Sequence, residues 1–212
     1  MKRDSVLVTC QRTLCSVLVV LIWYGVTICS THCAWAQQAS QAKPELVVQT
    51  GHFGDVVVVK YSPNGQIIAS GSEDNTVKLW DVTTGKVIRT LVAHRGYITA
   101  LDFSASGDQL VTAAKDNTIR IWDVRKGTEI RTLPGHSFYA SSVAFSPANN
   151  IIASCSIDKT VKLWDVRLGK EIPTPLRDLT KPQNTVAFSP DGQTLAVGGD
   201  DNTIRLFNIQ QN

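Results

Sequence analysis

Beyond residue 36 the sequence holds a single cysteine, Cys155, and one cysteine cannot close an internal disulfide. Packing and hydrogen bonding must therefore hold the fold together. Cys155 lies in a strand-like run, IIASCS, with no activating neighbour in sequence. It reads as a small buried apolar side chain, not as a reactive thiol. Charge of one sign is also scarce. Net charge is +3 over 212 residues, and cations and anions are interleaved with no lysine/arginine block. That pattern excludes the electrostatic footprint of a nucleic-acid binder. No helical period occurs beyond the first 36 residues. There is no Ser-His-Asp elbow, no glycine-rich phosphate loop and no close His/Cys ligand spacing. These absences leave no catalytic residue, no metal and no cofactor to assign. An exported hydrolase or metal-dependent enzyme, the alternative the histidines invite, has no motif behind it.

The first 36 residues are of a different kind. Lys2, Arg3 and Arg12 precede an apolar run over 14–29, and Ala34-Trp35-Ala36 offers a small-x-small cleavage site. This order predicts a secretory signal peptide cut after Ala36, with an exported, periplasmic or extracellular product. The reading it leaves open is a membrane anchor over 14–29, since 16 apolar residues fall between the length of a signal core and that of a span. Cys10, Cys15, Cys29, Cys33 and His32 leave with a cleaved leader. So do three of the 21 cations and one of the 18 acids, which makes the remainder nearly neutral. Residues 37–44 are polar and read as a linker.

From residue 45 onward the chain repeats. Trp80, Trp122 and Trp164 stand 42 residues apart and Phe207 follows after 43. His52, His94 and His136 keep the same step, as do Gly85, Gly127 and Gly169. A period of this length marks a repeat array. Within a unit, short runs rich in β-branched residues (VVVVKYS, IIASGS, TVKLWDV, KVIRTL) alternate with turn clusters (SPNG, EDN, TTG). Each unit is expected to be a four-stranded antiparallel sheet.

The residues at these positions resemble WD40 repeats. Gly51-His52 and Gly135-His136 match the family's Gly-His pair, with Ala93-His94 departing slightly. Trp80-Asp81, Trp122-Asp123 and Trp164-Asp165 match its Trp-Asp pair, and SPNG and SPDG match its turn before the second strand. The resemblance covers 45–212 and implies an all-β fold of four propeller blades. It further implies one hydrogen-bonded tetrad per blade: His52, Ser70, Asp74 and Trp80; His94, Thr112, Asp116 and Trp122; His136, Ser154, Asp158 and Trp164. Blade four departs, with Asp178 in the His place, Val197 in the Ser/Thr place and Phe207 for Trp, leaving Asp201. Segment 45–50 is expected to supply the outermost strand of blade four. Three closures stay open: half of an eight-bladed ring completed by a second copy as a homodimer, a small four-bladed ring, or a fragment of a larger array.

What the resemblance implies for function is a non-catalytic scaffold that binds a protein or peptide on the face carrying the Gly-His loops. The alternative is an orphaned fragment of a larger array with no specific ligand of its own. Residues on that face outside the family consensus are the candidates for partner binding: Phe53, Glu73, Arg95, Tyr97, Lys115, Phe138 and Tyr139. Aromatics and arginine are the side chains enriched in binding hot spots. Nucleic acid is not an expected partner, and a membrane is one only if the leader is uncleaved.

Overall fold

A computed structural model describes residues 51–148, 150–174, 176 and 179–209. Among the described residues fifteen strands, each of three to six residues, form four antiparallel sheets in chain order. Blade one is β1 (Val56–Tyr61), β2 (Ile67–Ser72), β3 (Thr76–Asp81) and β4 (Val87–Val92). Blade two is β5 (Ile98–Phe103), β6 (Gln109–Ala114), β7 (Ile119–Asp123) and β8 (Thr128–Leu133). Blade three is β9 (Ala140–Phe145), β10 (Ile151–Ser156), β11 (Val161–Asp165) and β12 (Lys170–Ile172). Blade four shows three strands, β13 (Gln183–Phe188), β14 (Thr194–Gly199) and β15 (Ile204–Asn208). Its expected outer strand, 45–50, lies outside the described residues, as do the leader, the linker and Asp178. Among the described residues no helix is long and apolar enough to cross a membrane.

Each sheet is an up-and-down meander because its turns close tightly. In the β1–β2 turn, Gly65 takes φ 71° and its N–H reaches the Ser62 carbonyl at 2.8 Å. In the β3–β4 turn, Gly85 takes φ 66° and Asp81 accepts the Thr84 N–H at 2.7 Å. Left-handed backbone of this kind suits glycine. The β2–β3 turn uses the same region without glycine: Asn75, Asn117, Lys159 and Asn202 all have φ between 60° and 69°. Asparagine tolerates this and lysine tolerates it less well.

The apolar cores lie between blades, not within them. One cluster joins Ala69, Val77, Leu79 and Leu91 of blade one to Ile98, Leu101, Phe103 and Trp122 of blade two. The next joins Val111, Ile119, Ile121 and Leu133 to Val143, Phe145, Ile152 and Trp164. The third joins Ala153, Cys155, Val161 and Leu163 to Val186, Leu195 and Val197. The innermost strands β1, β5, β9 and β13 pack in succession along the series. Asp102 stitches three blades at their centre: Lys60 approaches it at 3.4 Å and the Phe145 N–H donates to it at 2.9 Å.

The series is open. Val59 and Tyr61 of blade one are 61% and 63% exposed, whereas their counterparts Leu101 and Phe103 are buried. Ile204 and Leu206 of blade four are 80% and 70% exposed, whereas Val161 and Leu163 are buried. Four blades do not close on themselves here.

Candidate functional site

The loops before each innermost strand and the β2–β3-type turns meet on one rim, and the tetrads hold them there. In blade one His52 Nδ1 lies 2.9 Å from Asp74 Oδ2, His52 Nε2 lies 2.7 Å from Ser70 Oγ, and Trp80 Nε1 donates to Ser70 Oγ at 2.7 Å. The corresponding distances are 3.0, 2.7 and 2.8 Å through His94, Asp116, Thr112 and Trp122. Through His136, Asp158, Ser154 and Trp164 they are 3.0, 2.8 and 2.8 Å.

An indole N–H only donates, so the hydroxyl oxygen accepts from it. The same oxygen lies within hydrogen-bond reach of His Nε2, and His Nδ1 lies within reach of the carboxylate, so each His links the hydroxyl to the Asp. Burial pushes the His94 and His136 pKa down, outweighing the attraction of Asp116 and Asp158. Burial alone would raise the Asp116 and Asp158 carboxyls, but hydrogen bonds and the nearby histidines hold both below the usual range. Asp74 is likewise held low, its burial outweighed by bonds from Thr76, the Phe53 N–H and His52.

Sequence reading missed a fifth member of the network. Thr76, Thr118 and Thr160 donate their hydroxyls to the other oxygen of each Asp at 2.6, 2.7 and 2.6 Å. The signal was present, because a threonine follows each turn Asp by two residues: DNT, DNT, DKT, DNT. The N–H after each His also donates to the Asp, from Phe53, Arg95 and Ser137 at 2.8–2.9 Å. The Asp therefore clips the rim loop to the turn.

Gly51 and Gly135 back onto the indoles, where a Cβ would sit 2.1 and 2.3 Å from the rings of Trp80 and Trp164. Blade two carries Ala93 in this place and keeps its tetrad distances. In blade four Thr203 still bonds Asp201 at 2.7 Å, but Arg205 Nη2 takes the other carboxylate oxygen at 2.5 Å. Val197 is buried and Phe207 packs beside it in the third cluster. Cys155 is fully buried, and burial pushes its thiol up to about 11.

On this rim the structure brings three of the candidate residues together. Lys115 Nζ lies 5.0 Å from the Tyr97 ring centroid and 6.0 Å from that of Tyr139, which belongs to the next blade. A cation between two ring faces is an electrostatically favourable arrangement. Phe53 and Phe138 are exposed, so neither ring packs between blades. Arg95 is exposed as well, and Glu73 is half-buried. A cleft lined by Ser104, Asp108, Phe145 and Pro147 lies at the opposite end of the strands and shares none of these residues. Among the described residues no group of His, Cys, Asp and Glu could hold a metal.

Residues 55–212 match the family model described as the IFT122 first beta-propeller. The chain belongs to the WD40 β-propeller family. Shorter stretches of this WD40 chain resemble individual proteins. It is 52% identical over 42 residues to the serine-threonine kinase receptor-associated protein of Gallus gallus, covering 20% of this chain and 12% of that protein. It is 46% identical over 57 residues to eukaryotic translation initiation factor 3 subunit I of Aspergillus niger, covering 27% and 16%. It is 43% identical over 49 residues to periodic tryptophan protein 2 of Arabidopsis thaliana, covering 23% and 5%. The WD40 chain thus spans at most about a sixth of the length of these relatives.

Proposed function

We propose that this WD40 chain is a non-catalytic scaffold whose Gly-His rim docks a peptide segment of a partner protein. The observation that carries the reading is the Tyr97–Lys115–Tyr139 group, which spans two blades and flanks the exposed Phe138 and Arg95. The His, Asp and Trp side chains that repeat on the rim are consumed by the tetrads; Lys115 occurs once, Tyr97 and Tyr139 stand one 42-residue step apart in blades two and three, and no tetrad uses these three side chains. A fixed cation beside aromatic faces suits a segment carrying a carboxylate next to an aromatic or aliphatic side chain. The catalytic reading has no support, since each tetrad histidine already has both ring nitrogens engaged. The basic, apolar and small-residue order of 1–36 supports export, and an epitope tag at the C-terminus followed by cell fractionation tests it.

The rim is tested by selecting binders from a displayed peptide library on the full chain. The double variant Tyr97→Ala/Tyr139→Ala should weaken the selected peptides at least tenfold, and its thermal unfolding should match that of the parent. Equal affinity in parent and variant, or a library that yields no binder, would refute rim docking.

A further inference from the structure

Two apolar sheet faces, one on blade one and one on blade four, are left uncovered by the described residues. Every joint inside the chain pairs the same positions, namely a forward face of the Val77, Leu79 and Ala69 type with a backward face of the Ile98, Leu101 and Phe103 type. Three such joints are buried. By the 42- or 43-residue step, the exposed face of blade one (Val56, Val59 and Tyr61) is a backward face that no described residue covers. The face of blade four that bears exposed Ile204 and Leu206 and half-buried Ala196 is a forward face that no described residue covers. Trp80 registers the same gap: it is half-buried, whereas Trp122 and Trp164 are buried.

The fit extends to individual atoms. At the first joint Gly71 makes room for Ile98, since a Cβ on Gly71 would lie 2.4 Å from Ile98 Cγ2. The repeat step carries this pair to Gly198 and Val56. Gly198 is again glycine, and a Cβ there would meet only the Thr185 methyl of its own blade, at 3.2 Å. Blade four thus leaves open the position that Gly71 leaves open for Ile98, and blade one displays the β-branched Val56 at the Ile98 position.

We propose that two copies of this chain join head to tail through these faces, blade four of each against blade one of the other. The occupant is a second copy because the same faces in one copy do not meet, and because the joint continues an interface already made three times. Two copies place eight blades in the ring, at the top of the four-to-eight range in which propellers close, and three copies would exceed it. A closed pair satisfies both joints and leaves no apolar sheet face in water, which an open head-to-tail chain cannot do.

The test is the molar mass of the full chain by light scattering over a dilution series. The parent should hold twice the mass of one chain. Val59→Glu/Tyr61→Glu and Ile204→Glu/Leu206→Glu should each fall to the mass of one chain with their strand circular dichroism intact. An equimolar mixture of the two variants should regain the doubled mass through its one unaltered joint, with at least tenfold weaker association than the parent. Gly198→Trp, which plugs the slot without adding charge, should also give single chains. A monomeric parent overturns the proposal. So does a doubled mass that survives the face variants, which places association elsewhere, or a ladder of higher masses, which assigns these faces to further blades of a longer polypeptide. Tyr97→Ala/Tyr139→Ala should leave the mass unchanged, so failure of rim docking and failure of pairing are read separately.

Discussion

Thr112 is the position at which the tetrad logic can be put to a number. Its side chain is fully buried, and its hydroxyl oxygen lies 2.7 Å from His94 Nε2 and accepts from Trp122 Nε1 at 2.8 Å. Thr112→Val keeps the shape and removes both bonds, stranding His94 Nε2 and the Trp122 N–H. Each stranded group costs about 1–3 kcal/mol, so the variant should lose about 2–6 kcal/mol. That is a large part of the roughly 5–15 kcal/mol holding a typical domain. Trp122→Phe alone loses one bond and some ring volume, about 1–2 kcal/mol. In the double variant the stranded donor is gone, and only His94 Nε2 remains unpaired. The double variant should therefore cost no more than Thr112→Val alone, a coupling of about 1–2 kcal/mol relative to additivity. Blade four has taken this route naturally, with Val197 and Phe207 in the hydroxyl and indole places and both in the third apolar cluster. The assay is urea unfolding followed by circular dichroism, which avoids the altered tryptophan signal. A Thr112→Val cost below about 0.5 kcal/mol, or an additive double variant, would mean that the hydroxyl does not bridge the two rings.

Other consequences of the same structure are open to measurement. His94 and His136 are held below their usual 6.5, so the unfolded chain takes up protons first as pH falls. Stability should be full above about pH 6.5 and decline below it with a limiting slope of about 2.7 kcal/mol per pH unit for two protons. Protonation of Asp116 and Asp158 should extend the loss below pH 4, and a urea midpoint that stays flat from pH 7.5 to 5 contradicts this. Lys159 occupies a left-handed position that the other three turns give to asparagine, so Lys159→Asn should gain about 0.5–1 kcal/mol in chemical unfolding. Blade four lacks the hydroxyl and indole of a tetrad and exposes Ile204 and Leu206. Its amides in β13–β15 should exchange with deuterium before those of β6 and β10, and protection equal to β6 would count against this. Cys155, buried and with its thiol pushed up to about 11, should stay unreactive toward a thiol reagent until the chain unfolds.

How much could be read in advance depended on whether a residue repeats. The strands and their order were legible because a 42-residue step aligns three copies of each turn and each tryptophan, and the copies check one another. The same alignment brought each His into line with an Asp 22 residues on, and the structure places those pairs within 3.0 Å. Residues that appear once have no such check. The contact of Lys115 with Tyr139 crosses from one blade to the next, and no register argument reaches it. Asp102 stands where the other repeats have Lys60, Ala144 and Ala187, and it ties β1, β5 and β9 together. Arg205 occupies the position of Lys162 one repeat earlier, and only the loss of the blade's histidine leaves a carboxylate oxygen for it to take. The sequence left three closures open, two of which leave one chain an open series, because closure depends on curvature accumulated over four sheets.

Placing the apolar cores between sheets has a consequence for how such a chain can change length. If one whole unit were duplicated in register, the new sheet would cover the old terminal surface and present an equivalent one in its place. Every pre-existing neighbour would remain as it was. No local interaction therefore counts the units, and nothing in the packing of one sheet on the next marks where a series must end. The tally is settled only by whether the accumulated rotation brings the last surface back to the first.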